Sequence, residues 1–375
     1  MVPVRNRNKP CWCGSGEKYK KCHRDREAAK PPELWAAAKS ARSIMTSSGQ
    51  CLYPDPTGQP CTEKVIAAHT VRRSADLRAI AESGHVYAVS ADLEDMERNS
   101  GQLAPKRIGI KRASTFLGFC SKHDSAAFAP LETTALVPTD QQALLLMYRA
   151  VCRELYVKQR QIDMFDLGRT LDSGKTRPQQ ENVQRFFSLA RAGAEASLQN
   201  LSDAKHRLDS DILNNDFSNI RFVSISLSSA PEVMCSGLVA PSYSFNGEQL
   251  QRIGDLSKAL QLMSVSLAST QTGGVAVFAW RLEDDMACGR LVDSLNLLPE
   301  PKQLDSIVGY VFSHIENLYF RISWWDALSE PTKQKLVGKL HENIVDDGSI
   351  APPYSDTASS PLLSARIMHT QQKRA

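Results

Sequence analysis

Two long stretches carry apolar residues at helical spacing. From Thr139 to Phe165, Leu144, Met147, Val151, Leu155 and Ile162 fall on one face. From Pro178 to about Leu213, Val183, Phe187, Ala190, Ala194, Leu198, Leu201, Leu208 and Ile212 recur at three- and four-residue steps. Small residues in the second stripe allow close approach, so the pattern predicts an antiparallel helical pair over 139–215. The same stripe also suits a coiled coil between two chains, and hence a homodimer through the long helices. Beyond residue 218 the period changes. Val223, Ile225 and Leu227 alternate within Ile220 to Leu227, which predicts a strand, with Glu232 to Val239 as its partner and Gly274 to Trp280 as a third. Helical patterns over Ala287 to Leu295, Gln303 to Glu316 and Asp326 to Asp346 would cover this small sheet. The run Glu316 to Phe320, with Trp324 and Trp325 after it, reads as aromatic core, Glu316 and Asn317 being kept as candidate functional residues. Upstream, Pro32 to Ser47 reads as a linker helix, Ser74 to Glu82 as a helix stopped by Gly84, and His85 to Val89 as a short strand. The tail 351–375 has no period and is expected to be disordered.

Composition narrows the class. With 375 residues, 42% hydrophobic and 23% charged, the chain can fold as two or three units with ordinary cores. No apolar run is long enough to span a bilayer, and the basic, polar start lacks a signal-peptide core, so a cytoplasmic protein without a transmembrane segment is expected. Nine cysteines, an odd number, fit metal ligation in a reducing compartment better than a disulfide framework. The net charge is +4, yet residues 1–30 alone carry nine Lys or Arg against three Asp or Glu. That basic face suits either anionic partners or plain solvation. The chain contains no GxxxxGK[ST], no GxGxxG, no HExxH and no GxSxG, which removes the usual nucleotide, zinc-protease and serine-hydrolase engines.

The cysteines carry the most specific chemistry. Cys11-Trp12-Cys13-Gly14-Ser15-Gly16 is followed by Lys18-Tyr19-Lys20-Lys21-Cys22-His23, so four soft donors sit within thirteen residues. Three thiolates and an imidazole close a structural zinc tetrahedron, and the glycines allow the tight turn between the pairs. A segment this short cannot fold on its own core, so the metal would have to order it. These residues closely resemble the SEC-C zinc motif found at the C-terminus of the SecA preprotein translocase ATPase and in many otherwise unrelated bacterial proteins. The resemblance covers about residues 5–24 and implies Cys11, Cys13, Cys22 and His23 as ligands. It also implies protein, ribosome or membrane-surface contacts rather than catalysis.

A second set, Cys51, Cys61, His69, Cys120 and His123, is spread over about seventy residues. Cys120-Ser121-Lys122-His123 has knuckle spacing, and Cys51 with Cys61 would complete a zinc site at Cys51, Cys61, Cys120 and His123. Two other readings stay open: His69 as fourth ligand with Cys51 surplus, or Cys120 and His123 as ordinary core residues beside Phe116 and Phe119. Residues 48–135 also resemble a divergent HNH, or treble-clef, nuclease module, on Ile66-Ala67-Ala68-His69 and Phe119-Cys120-Ser121-Lys122-His123. The resemblance implies His69 as general base on water, with Mg²⁺ or Mn²⁺ at the scissile phosphate. Ala68 replaces the acidic residue that usually precedes the histidine, and Asp124 is the nearest substitute. Lys106, Arg107, Lys111 and Arg112 follow the acidic stretch Asp92 to Glu97 and could contact phosphate.

The sequence therefore predicts an α+β protein in five segments: a zinc knuckle (1–30), a second zinc-binding α+β module (48–135), a helical pair (139–215), a C-terminal α+β domain with a small sheet covered by helices (218–350), and the tail (351–375). The expected role is a bacterial-type zinc protein whose knuckle docks protein or nucleic acid. The alternative is an HNH-like metal-dependent endonuclease.

Overall fold

A computed structural model describes residues 7–89, 99, 103–255, 258–344, 354 and 361–373. The acidic stretch at 92–97, the last residues of the helix expected to end at 346, and most of 351–360 lie outside the described residues. The fold class is α+β, and the chain divides into two compact units, each assembled from segments distant in sequence.

The first unit comprises residues 1–47 and 155–200. It holds a helical turn Tyr19–Cys22, the helix Leu34–Met45, and the facing ends of two long helices, Asp140–Arg169 and Arg177–Leu213. The long pair forms where the two apolar stripes predict it. At its tip, Gly168 stands so close to the Phe187 ring that a Cβ there would lie 2.4 Å from it, and Gly174 takes φ +74 in the turn between the helices. Ala37, Ala38 and Ala41 bury the inner face of the shorter helix, and Tyr156 donates its hydroxyl to the carbonyls of Met45 and Ser47, both at 3.0 Å.

The second unit comprises residues 48–154 and 201–375. Its strands are β1 (Val65–His69), β2 (His85–Val89), β3 (Pro105–Gly109), β4 (Thr115–Cys120), β5 (Ile220–Leu227), β6 (Val233–Val239), β7 (Met263–Ser269), β8 (Gly274–Arg281), β9 (Leu318–Phe320) and β10 (Ile367–Lys373). Eight of them form one antiparallel sheet in the order β10-β5-β8-β7-β6-β9-β2-β3. The sheet is larger than the small one expected from sequence. β6 pairs with β7 and β9 rather than with β5, whose neighbours are β8 and β10. Every residue of β7 and β8 is buried, as in a central strand covered on both faces. Phe278, Trp280, Val265 and Ile225 share a core with Leu291 of the helix Asp285–Asn296, Val311 of Glu300–His314 and Leu336 of Glu330–Ile344. The helix expected over 326–346 is two pieces, Ile322–Ala327 and Glu330–Ile344, the second with Pro331 in its first turn.

Residues 48–135 do not keep their strands to themselves. β2 and β3 extend the large sheet through β9, whereas β1 and β4 make a separate two-stranded ribbon that leads into the helix Ser121–Glu132. Arg72 and Asp76, both buried, lock the exit from β1: the guanidinium donates to both carboxylate oxygens and to the carbonyls of Leu131 and Ser269. The tail also departs from expectation, because Ile367–Lys373 pairs with β5 along the sheet edge. Leu318–Phe320 is buried, in keeping with aromatic core, and Asn317 is used structurally. Its side chain accepts from Ser114 and Tyr319 and donates to the Ser236 carbonyl.

Candidate metal centres

In the first unit the segment 7–23 folds back on itself. Pro10 bridges Lys18, the Cys11 N–H donates to Glu17 at 2.7 Å, and the Tyr19 N–H donates to Lys9 at 2.9 Å. Gly14 and Gly16 both take φ +75, a conformation that side chains resist, and so allow the reversal between the CxC pair and the helical turn that presents Cys22 and His23. The donor atoms of Cys11, Cys13, Cys22 and His23 lie within 4.8 Å of one another. Cys22 Sγ is 3.1 Å and Cys11 Sγ 3.3 Å from His23 Nδ1, and Cys13 Sγ is 3.6 Å from Cys22 Sγ. A zinc tetrahedron with sulfur bonds near 2.3 Å and nitrogen bonds near 2.0–2.1 Å has edges of about 3.5–3.8 Å. The sulfur–sulfur separation of 3.6 Å matches, and the sulfur–nitrogen separations of 3.1 and 3.3 Å are a few tenths of an ångström shorter, so a small relaxation accommodates zinc. An open cavity of about 210 Å³ lies beside Cys13 and Cys22.

The thiols differ in how readily they ionise. Burial pushes the Cys11 thiol up to about 12. Burial also opposes ionisation of Cys13, yet the Ser15 hydroxyl and N–H, with the neighbouring thiols, outweigh it and lower that pKa. His23 is held below the usual histidine range by burial, against the pull of Asp172.

In the second unit, Cys51, Cys61, Cys120 and His123 likewise bring their donor atoms within 4.8 Å. His123 Nδ1 is 3.4 Å from both Cys51 Sγ and Cys120 Sγ, and Cys61 Sγ is 3.9 Å from Cys120 Sγ. Cys120 ends β4 and caps the next helix, its sulfur accepting the His123 N–H at 3.4 Å, while the Cys120 N–H donates to Cys51 Sγ at 3.4 Å. Such N–H groups favour thiolate, and the backbone N–H of His123 helps to lower the Cys120 pKa although burial opposes it. Burial raises Cys51 to about 11. Tyr53 stacks on the His123 ring at 4.8 Å. Phe119, Phe128 and Tyr148 pack behind the cluster with ring centroids 5.1–6.3 Å apart.

His69 stands outside this group, so the reading that used it in place of Cys51 is not what the fold brings together. Its Nε2 is 3.2 Å from the Ile110 carbonyl, and burial lowers its pKa. Asp124, on the helix after Cys120, has a buried Oδ1 without a hydrogen-bond partner, and burial raises its pKa. His69 and Asp124 share Arg149 and Glu132 as charged neighbours. Lys106, Arg107, Lys111 and Arg112 are all exposed.

Sequence reasoning missed Asp172, which is fully buried with its Oδ2 at 2.8 Å from His23 Nε2. They stand 149 positions apart, and no spacing rule connects the two.

The chain matches no curated protein and no solved structure. The family model of the SEC-C motif matches residues 7–25, so the folded-back segment bearing Cys11, Cys13, Cys22 and His23 is a SEC-C motif.

Proposed function

We propose that this is a zinc-binding docking protein. Zinc at Cys11, Cys13, Cys22 and His23 would hold the SEC-C knuckle, and a second zinc at Cys51, Cys61, Cys120 and His123 would brace the body. The observation that carries this reading is the convergence of two Cys₃His sets, each with donors within 4.8 Å of one another. When bound, zinc supplies cross-linking, and neither set leaves a coordination position for substrate. Lys9, Lys18, Lys21 and Arg24 are exposed around the knuckle and would meet an anionic protein or nucleic-acid surface. Elemental analysis tests the metal: two zinc per chain are expected, and one after Cys22→Ser. One zinc in the unaltered chain would remove the second site. Fluorescence anisotropy with mixed-sequence RNA and DNA tests the partner. Binding that weakens with salt and with Lys18→Glu/Lys21→Glu is expected for nucleic acid, and salt-independent or absent binding leaves protein as the partner class. Self-association would use Phe186 and Leu189, which expose 64% and 68% of their surface on one helix, and sedimentation analysis of Phe186→Glu reads it.

A second reading is favoured by the state of His69. Its Nε2 faces a carbonyl, which places the proton there and leaves Nδ1 as acceptor, and a depressed pKa keeps the ring neutral near pH 7. That is the form a general base needs. In an HNH-like endonuclease His69 would take a proton from water, Asp124 would hold Mg²⁺ or Mn²⁺, and Lys106 to Arg112 would contact phosphate. Incubation with plasmid and RNA in either ion decides, because cleavage that survives His69→Ala belongs to something else.

A further inference from the structure

His23 is held from both sides. Its Nδ1 faces the sulfurs of Cys11 and Cys22, and its Nε2 lies 2.8 Å from Asp172 Oδ2. A histidine that offers Nδ1 to a metal carries its proton on Nε2. A carboxylate that accepts this proton fixes the tautomer, orients the ring and strengthens it as a donor. Asp172 is fully buried, its Oδ2 takes hydrogen bonds from His23 and from Gln184 Nε2 at 2.6 Å, and its Oδ1 forms an ion pair with the Arg26 guanidinium. The same elements grip the knuckle elsewhere. Arg169 Nη2 donates to the Cys13 carbonyl at 2.7 Å and the Gly174 N–H to the Arg26 carbonyl at 2.9 Å, while Gln184 Nε2 ties the two helices together through the Arg169 carbonyl at 2.7 Å. Arg177 lies over the Trp12 ring at 4.0 Å, and that ring packs against His23. The knuckle's own carboxylates are unsuited to the task, since Glu17 is exposed and Asp25 is exposed and paired with Arg24.

We propose that Asp172 is the positioning residue of the first metal centre, so that metal occupancy and the order of the helix junction 169–184 form one linked equilibrium. This rests on the zinc reading of the knuckle. The SEC-C motif here is clamped onto a helical hairpin through its histidine, and zinc tightens both.

The test uses the full chain loaded with ¹¹³Cd, whose resonance reports ligand identity and basicity. Two signals are expected, of which Cys22→Ser removes one and so assigns it. Asp172→Asn keeps the shape but removes the charge. It should shift the assigned signal alone and weaken zinc binding about 10- to 100-fold in competition with a chromophoric chelator. Asp172→Glu should recover part of the loss, and Asp25→Asn, which removes the same charge from the knuckle surface, should change neither readout. Zinc removal from the unaltered chain should speed amide exchange across 169–184. An unshifted signal with affinity within about twofold in Asp172→Asn overturns the proposal. Should that variant lose its helices, exchange in the unaltered chain decides, and zinc-independent protection of 169–184 overturns it. If Cys22→Ser removes no signal, the zinc reading of the knuckle falls instead.

Discussion

The two Cys₃His clusters use the same donors in opposite ways. The first draws all four from thirteen consecutive residues, in a segment whose buried apolar side chains are little more than the cysteines themselves. The second gathers donors from positions 51 to 123, around an aromatic core in which Phe119, Phe128 and Tyr148 are fully buried. On the proposed reading a metal would take the place of a core in the first case and tie down a loop in the second. The difference is one of necessity, and it can be broken at several points.

The largest effect should follow chelation. Structural zinc supports small domains by about 10–16 kcal/mol, so stripping it should open residues 7–25 to proteolysis while β5 to β8 stay protected. Loss of protection in both places would erase the contrast. Next comes the aromatic core itself. Phe119→Ala, at a position with no exposure, should cost about 3–5 kcal/mol by urea denaturation with zinc present or absent, and a zinc-dependent cost would mean that the metal and core are coupled after all.

A third test exploits acid. Burial holds His314 at about 4 instead of 6.5, so the folded chain keeps it neutral. Above pH 6.5 neither state is protonated and pH has no effect through this group. Between 6.5 and 4 only the unfolded chain takes up the proton, and the contribution of this group to stability should fall by about 3 kcal/mol across that window. Burial raises Asp284 to about 7, which acts in the opposite direction over the same window, so urea titrations of zinc-free protein at both pH values should show the His314 drop as the difference between the unaltered chain and His314→Gln. The smallest effect is the most discriminating. Gly14 and Gly58 both take positive φ with open space around them, so alanine at either should cost about 1 kcal/mol. Only Gly14→Ala should appear as weaker zinc binding of the knuckle, because there alone folding and metal capture are the same event.

Legibility in sequence followed distance. The knuckle could be read whole, since its donors and turn glycines are contiguous. In the second cluster Cys120 and His123 announced themselves, but the choice among Cys51, Cys61 and His69 needed the β1–β4 ribbon, which pairs Val65 with Cys120 and leaves His69 opposite Thr115, at the other end. β5 and β8 were visible as apolar runs. β3, read as a basic stretch, and β10, mostly Thr, Gln and His, were not, because edge strands contribute backbone pairing with little apolar patterning. β9 has three residues, too few to show any period. Asp172 lay beyond all such rules, being an ordinary turn aspartate until the tertiary fold delivers His23 to it.

The three-residue strand β9 has a consequence for biogenesis. Among the described residues it alone joins the ribbon β2–β3 to the rest of the sheet, and it is made more than two hundred residues after them. During translation that ribbon must wait with an open flank until Leu318 to Phe320 emerge, and assembly so dependent on distant pairing is slow. The interval is where a nascent chain would most need a chaperone.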